Sequence, residues 1–182
     1  MSLKELTITQ HRNAERQKFA SILMSGKIEE KIYLQYLFNQ YACYNALENH
    51  DNFVLPHEDL KRSNSIKEDI EELNIYIKDK LTEILTKSTL KYIDHVVHNI
   101  KTENDFMAHV YVRYLGDLRG GQMIAKKIPG EGRYYNFKNP KNLADIIYSK
   151  LDDSMASEAK IVFDFATKLF IEMYDVMQDL NN

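Results

Sequence analysis

Three of the chain's six glycines, Gly116, Gly120 and Gly121, fall within six residues of a segment that otherwise reads as helix. Only three more glycines and three prolines remain to turn the rest of the chain, too few for a many-turned sandwich or barrel. Helix formers fill the long stretches between these residues, and no strand-period alternation of useful length competes with them. A length of 182 residues suits one domain, 1–182, with a sizeable core. The expected fold is therefore an all-α, single-domain helical bundle.

Start and stop signals position the helices. Ser2-Leu3-Lys4-Glu5 has capping-box spacing and predicts a helix to about Met24, before Gly26. Further helices are predicted over Glu29–Asn49, Ser65–Ile77 and Thr89–Ile100, the first with Ile32, Tyr36, Cys43 and Leu47 along one stripe. Thr102-Glu103-Asn104-Asp105 opens the segment that carries the glycines and reaches about Lys126. A loop from Pro129 to Pro140 follows, with Asn139 as cap, and then helices over Lys141–Leu151 and Ser154–Leu180.

The net charge of -3 argues against general nucleic-acid binding. Cys43 is the sole cysteine, which excludes an intrachain disulfide, a CxxC redox pair and a cysteine zinc cluster. No apolar run is long enough to cross a bilayer, and charges from Glu5 to Lys18 interrupt the N-terminal segment. These features read as a soluble, cytoplasmic protein without a membrane partner.

Each glycine inside a helix costs about 1 kcal/mol relative to alanine, so the cluster needs a reason. Gly116 and Gly120 share a helical face, and Asp117 lies beside Gly120 and Gly121. Arg113, four residues before Asp117, is spaced to pair with it. Two readings stand at this point: a close helix crossing, or a bare backbone on which a flat ligand lies beside a water-organising carboxylate.

His11 in the first helix has Glu15 one turn on, a spacing that lets a carboxylate orient an imidazole ligand, although a lone helical histidine is more often a surface or satisfied core residue. His95 and His98, next to Asp94, can share a metal by spacing but read as surface residues. No histidine follows a glutamate by three positions, so the di-iron bundle signature is absent.

Tyr111, Arg113, Tyr114, Leu115, Gly116, Asp117, Leu118, Gly120, Gly121 and Gln122 together closely resemble the haem oxygenase signature. A second match, Lys4, Glu5, Thr7, His11, Ala14 and Glu15, resembles that family's proximal helix, and Tyr44-x-Ala46-Leu47-Glu48 is a third. Weaker similarity runs through Pro56 into the last helix. The resemblance implies the haem oxygenase fold, with haem as both cofactor and substrate and His11 as its iron ligand. It implies a distal helix at Gly116–Gly121, with Asp117 organising water, helped by Arg113 and Tyr44. Tyr111, Phe163 and Phe170 match pocket-lining positions, and Lys4 and Thr7 belong to the proximal motif, Lys4 as a candidate propionate partner.

The implied reaction is oxidative cleavage of haem to biliverdin, the IXα isomer, releasing carbon monoxide and ferrous iron. It consumes O2 and electrons from an external donor. No flavin, nicotinamide or iron–sulfur motif supplies those electrons. The basic group Lys126, Lys127, Arg133, Lys138 and Lys141 is a candidate dock for an acidic ferredoxin, and equally an ordinary solvated loop. A bilin reductase is the implied downstream partner. The alternatives are a haem carrier on the same fold and a related all-α protein with a non-haem metal; Asp117 favours the enzyme. Two positions depart from the family pattern: Arg119 stands where serine is usual, and Tyr148 where a basic propionate partner is expected.

Overall fold

A computed structural model describes residues 1–182 as helices joined by turns and three longer connections, without a strand. The helices are α1 Leu3–Glu15, α2 Lys18–Ser25, α3 Glu30–Glu48, α4 Ser63–Tyr76, α5 Lys87–Asn99 and α6 Glu103–His109. After α6 the chain continues as a π-helical stretch, Val110–Leu115, then α7 Gly116–Arg119 and α8 Gly121–Ile124. The set closes with α9 Pro140–Tyr148 and α10 Ala156–Asn181.

Local chemistry accounts for several ends. The Ser2 hydroxyl accepts from the Glu5 amide while the Glu5 carboxylate accepts from the Ser2 amide, a complete capping box. Thr102 and Asp105 repeat the device at α6. The predicted helix to Met24 is in fact two, because Gln17 turns to extended backbone between α1 and α2. Asn139 does precede α9, but its side chain makes no cap bond and its φ is +48°. Pro140 at the first helical position sets the start instead.

The centre of the bundle is α3. Its buried residues run around the helix and not along one stripe, as a helix enclosed by neighbours requires. It packs on α4, α5 and α10, and α10 in turn packs on α1, α2, α5 and α6. Two buried polar side chains of α3 fasten the extended stretch before α5. Gln35 bonds the Thr82 carbonyl and the Ile84 amide, and Asn39 the Ile84 carbonyl and the Thr86 amide. Each satisfies backbone groups that burial would otherwise leave unpaired.

The segment Arg133–Phe137 is tied down on the α4 side. The Arg62 guanidinium donates to the carbonyls of Tyr134 and Asn136 and lies 3.9 Å over the Phe137 ring. Asp69 accepts from the amides of Arg133 and Tyr134. On the other side, the Gln122 amide donates to the Tyr135 carbonyl at 2.8 Å.

This packing explains one of the three glycines. All three have ordinary right-handed helical backbone, so none is needed for a left-handed turn. At Gly121, however, an added Cβ would stand 2.6 Å from Cδ1 of Tyr135. Gly121→Ala is expected to cost about 1–3 kcal/mol through that overlap. Thermal unfolding should show a fall of several degrees in Tm, and an unchanged Tm would refute the steric account.

Candidate active site

A cavity of about 580 Å³ opens between α1, α2 and α10 on one side and the glycine segment on the other. His11, Glu15, Phe163 and Phe170 form part of its wall, as do Gly116, Asp117, Gly120 and Gly121. Tyr44 and Arg113 line it too. Ten of the predicted site residues therefore share one cavity. Because α1 packs on α10 and not on the glycine segment, the space between them is free for a ligand.

His11 is the one histidine on this wall. Its ring stacks on Phe163 at 5.1 Å, and Glu15 lies 3.1 Å from its Nε2, with the side chain partly exposed. A carboxylate on one ring nitrogen fixes the imidazole and leaves the other nitrogen available as a ligand.

On the facing segment, a methyl added at Gly116 would meet no atom within 4 Å. The bare backbone there borders the cavity itself. The glycines thus divide: Gly116 leaves room for a ligand, while Gly121 leaves room for Tyr135.

Asp117 is held by Tyr44, whose hydroxyl donates to Oδ2. Burial, and next the Asp117 charge, push the Tyr44 phenol well above its usual range, so it remains a donor. Burial also raises Asp117 to about 6, against the downward pull of the Tyr44 and Tyr134 hydroxyls and the charges of Arg113 and Arg62.

The expected Arg113–Asp117 ion pair does not form. The π-helical stretch Val110–Leu115 changes the register, so residues four apart no longer stack as in an α-helix. Arg113 instead donates to the Gln40 side-chain oxygen at 3.3 Å and lies 4.3 Å over the Tyr92 ring and 5.3 Å over that of Tyr44. Its influence on Asp117 is through charge alone.

Four predicted residues lie off the cavity wall. Lys4 is exposed on α1, and the Thr7 hydroxyl turns back to the Leu3 carbonyl. Tyr111 packs edge-on behind Phe163. Tyr148 is exposed, with the Arg119 guanidinium 5.3 Å over its ring.

Conversely, Tyr36, Gln40 and Tyr135 line the cavity without having been picked out as site residues. The Gln40 amide donates to the hydroxyls of Tyr36 and Tyr134, making a polar layer beneath Asp117. The basic group of 126–141 also changes, since Arg133 is paired with Glu72 at 2.7 Å and Asp69 at 3.5 Å.

The donor set suits a flat iron tetrapyrrole: one imidazole, an apolar slot bounded by phenylalanines, and a backbone surface without side chains. Comparison with known proteins agrees. The haem oxygenase family model matches residues 1–145, and the chain belongs to that family. It is 33% identical over 172 residues to a haem oxygenase of Guillardia theta, covering 88% of this chain and 70% of the relative. A haem oxygenase of Rhodella violacea is 30% identical over 204 residues, covering 95% and 86% respectively. Among solved structures, the Leptospira interrogans haem oxygenase superposes with a TM-score of 0.76 at 27% identity, covering 94% of this chain and all of that one. A haem complex of the Synechocystis enzyme gives 0.79 at 23% identity, covering 98% and 94%, a likeness of fold.

The Asp117 carboxyl makes stability depend on pH. Its folded value, about 6, exceeds the ordinary 3.8, so the folded state holds the proton more tightly. The benefit is complete below about pH 4 and disappears as pH rises through 6. Asp117→Asn, which does not titrate, should therefore gain stability over the parent between pH 4 and pH 7, by at most about 3 kcal/mol. Denaturant melts at both pH values check this, and a pH-independent difference would contradict it.

Proposed function

We propose that the chain cleaves haem to biliverdin IXα, carbon monoxide and ferrous iron, using O2 and an external electron donor. The observation that carries this reading is one cavity shared by the His11–Glu15 pair, the open backbone at Gly116 and the Tyr44-bound Asp117. Bound haem supplies the iron that activates O2 and the meso carbon that is oxidised.

The protein's own part is to hold, orient and deliver protons. His11 would hold the iron, and a neutral imidazole lacks the strong electron push of a thiolate. Phe163 and Phe170, both on the α10 wall, would give the macrocycle an apolar surface and keep water from that side. The missing side chain at Gly116 lets the ligand sit against backbone. Tyr44 fixes the Asp117 carboxyl, which with a value near 6 exchanges a proton readily at neutral pH. Arg113, seated on Gln40, contributes positive charge behind it. A simple carrier has no use for a titrating carboxyl at this position, which favours the enzyme over a haem-storage protein.

The Arg119–Tyr148 stack bears on regiochemistry. Tyr148 does not supply the positive charge its position leads one to expect, but it brings Arg119 alongside. We assign Arg119 as a propionate partner, and Lys4, exposed on α1, as a second candidate. Lys126, Lys127, Lys138 and Lys141 remain as exposed cations for an acidic ferredoxin, and a bilin reductase would take up the product.

The test is to add haem, record a Soret band, then supply ferredoxin, its reductase and O2. Loss of the Soret band with biliverdin and carbon monoxide as products is expected; a persistent band under good reduction would sink the proposal. Chromatography of the product checks the IXα assignment. His11→Ala should lose the axial-ligand spectrum and most turnover. Asp117→Ala should keep haem but slow product formation by about 100-fold. Normal turnover in both variants would invalidate these assignments.

A further inference from the structure

A second cluster of metal-capable side chains lies away from the cavity, where α5, α6 and α10 meet. His95 belongs to α5, His109 ends α6, and Glu158 lies in the first turn of α10. Glu158 Oε1 is 2.5 Å from His95 Nε2 and 2.8 Å from His109 Nε2. The three ligand atoms all fall within 4.8 Å of one another. None of these residues lines the cavity. His95 is thus turned into the protein, contrary to the surface role its sequence suggests, whereas His98 stays exposed beside Asp94.

We propose that His95, His109 and Glu158 bind a single divalent cation of the zinc class. Two imidazole nitrogens and one carboxylate oxygen are a donor set that zinc uses, with a fourth position left for water. His109 is fully buried, but the side chains of His95 and Glu158 keep 13% and 14% of their exposure. That edge provides both an entry path and room for the fourth ligand.

The surroundings favour the charge states that ligation needs. Burial lowers the pKa of His109 and so keeps its imidazole neutral. Burial alone would raise Glu158, but hydrogen bonds from His109 and His95 hold it down at about 2, fully ionised. The Tyr92 hydroxyl lies 2.6 Å from His109 Nδ1, the kind of outer partner that fixes the tautomer of a ligating histidine.

The proton balance closes without an added acid or base. In the metal-free cluster Glu158 accepts an N–H from each Nε2. On binding, each ring carries its proton on Nδ1, and His109 donates to the Tyr92 oxygen while its Nε2 lone pair faces the cation. The cation would fasten three helices together. One of them, α10, carries Phe163 onto the cavity wall.

The test uses the full chain, stripped with a chelator and titrated with Zn²⁺ by calorimetry. A His11→Ala background removes the exposed His11–Glu15 pair as a competing site. Binding of one equivalent with a rise in Tm is expected. His95→Gln and, separately, Glu158→Gln should weaken binding at least tenfold, and Tyr92→Phe about tenfold. Circular dichroism checks that each variant is folded. No saturable binding, or equal affinity in folded His95→Gln and Glu158→Gln, would overturn the site and leave a hydrogen-bonded cluster only.

Discussion

A carboxyl and a guanidinium, Asp117 and Arg113, are held among aromatic rings, and the surrounding structure makes that burial tolerable. Removing a charge from water is costly unless hydrogen bonds or counter-charges replace the solvent. Here the replacements come from three directions: the Tyr44 hydroxyl on Asp117, the Gln40 oxygen on Arg113, and the faces of Tyr92 and Tyr44. They offset only part of the cost for Asp117, which is why its carboxyl titrates near 6. In the proposed reaction that incomplete compensation is what lets the carboxyl exchange a proton near neutral pH.

The polar layer depends on parts of the chain far from the signature. Gln40 comes from the central helix, and Tyr134 and Tyr135 come from the segment that Arg62 and Asp69 fasten to α4. Gln122 anchors the same segment from the glycine side. A change at Arg62 would thus act on the cavity through backbone placement and through its charge on Asp117, without touching the cavity. The π-helical stretch contributes in the same way: by shifting the register it places Arg113 against Tyr92, where a regular helix would favour Asp117.

Much of the fold was legible because its signals are local. Ser2 with Glu5, and Thr102 with Asp105, are read directly as helix starts. The break at Gln17 was not, since neither glycine nor proline marks it and the backbone turns to suit the packing of α1 and α2 on α10. For the site, His11, Glu15, Tyr44, Asp117 and Gly116 were legible through motifs that resemble those of haem oxygenases, and all line the cavity. Gln40, Tyr36 and Tyr135 carry no such signal, because their role arises from contacts between distant segments. Gly121 does border the cavity, but its contact with Tyr135 was not legible, because that ring is fourteen residues on, across a loop.

The long last helix gives the molecule a strict arithmetic. α10 runs 26 residues, and within it Glu158 serves the histidine cluster while Phe163 and Phe170 serve the cavity. On an α-helix each added or deleted residue rotates everything beyond it by about 100° and shifts it by about 1.5 Å. An insertion between Glu158 and Phe163 would leave one of the two groups facing the wrong way, even if no named side chain were altered. Side chains facing away from both groups are free of this constraint, whereas the spacing from Glu158 to Phe170 is not.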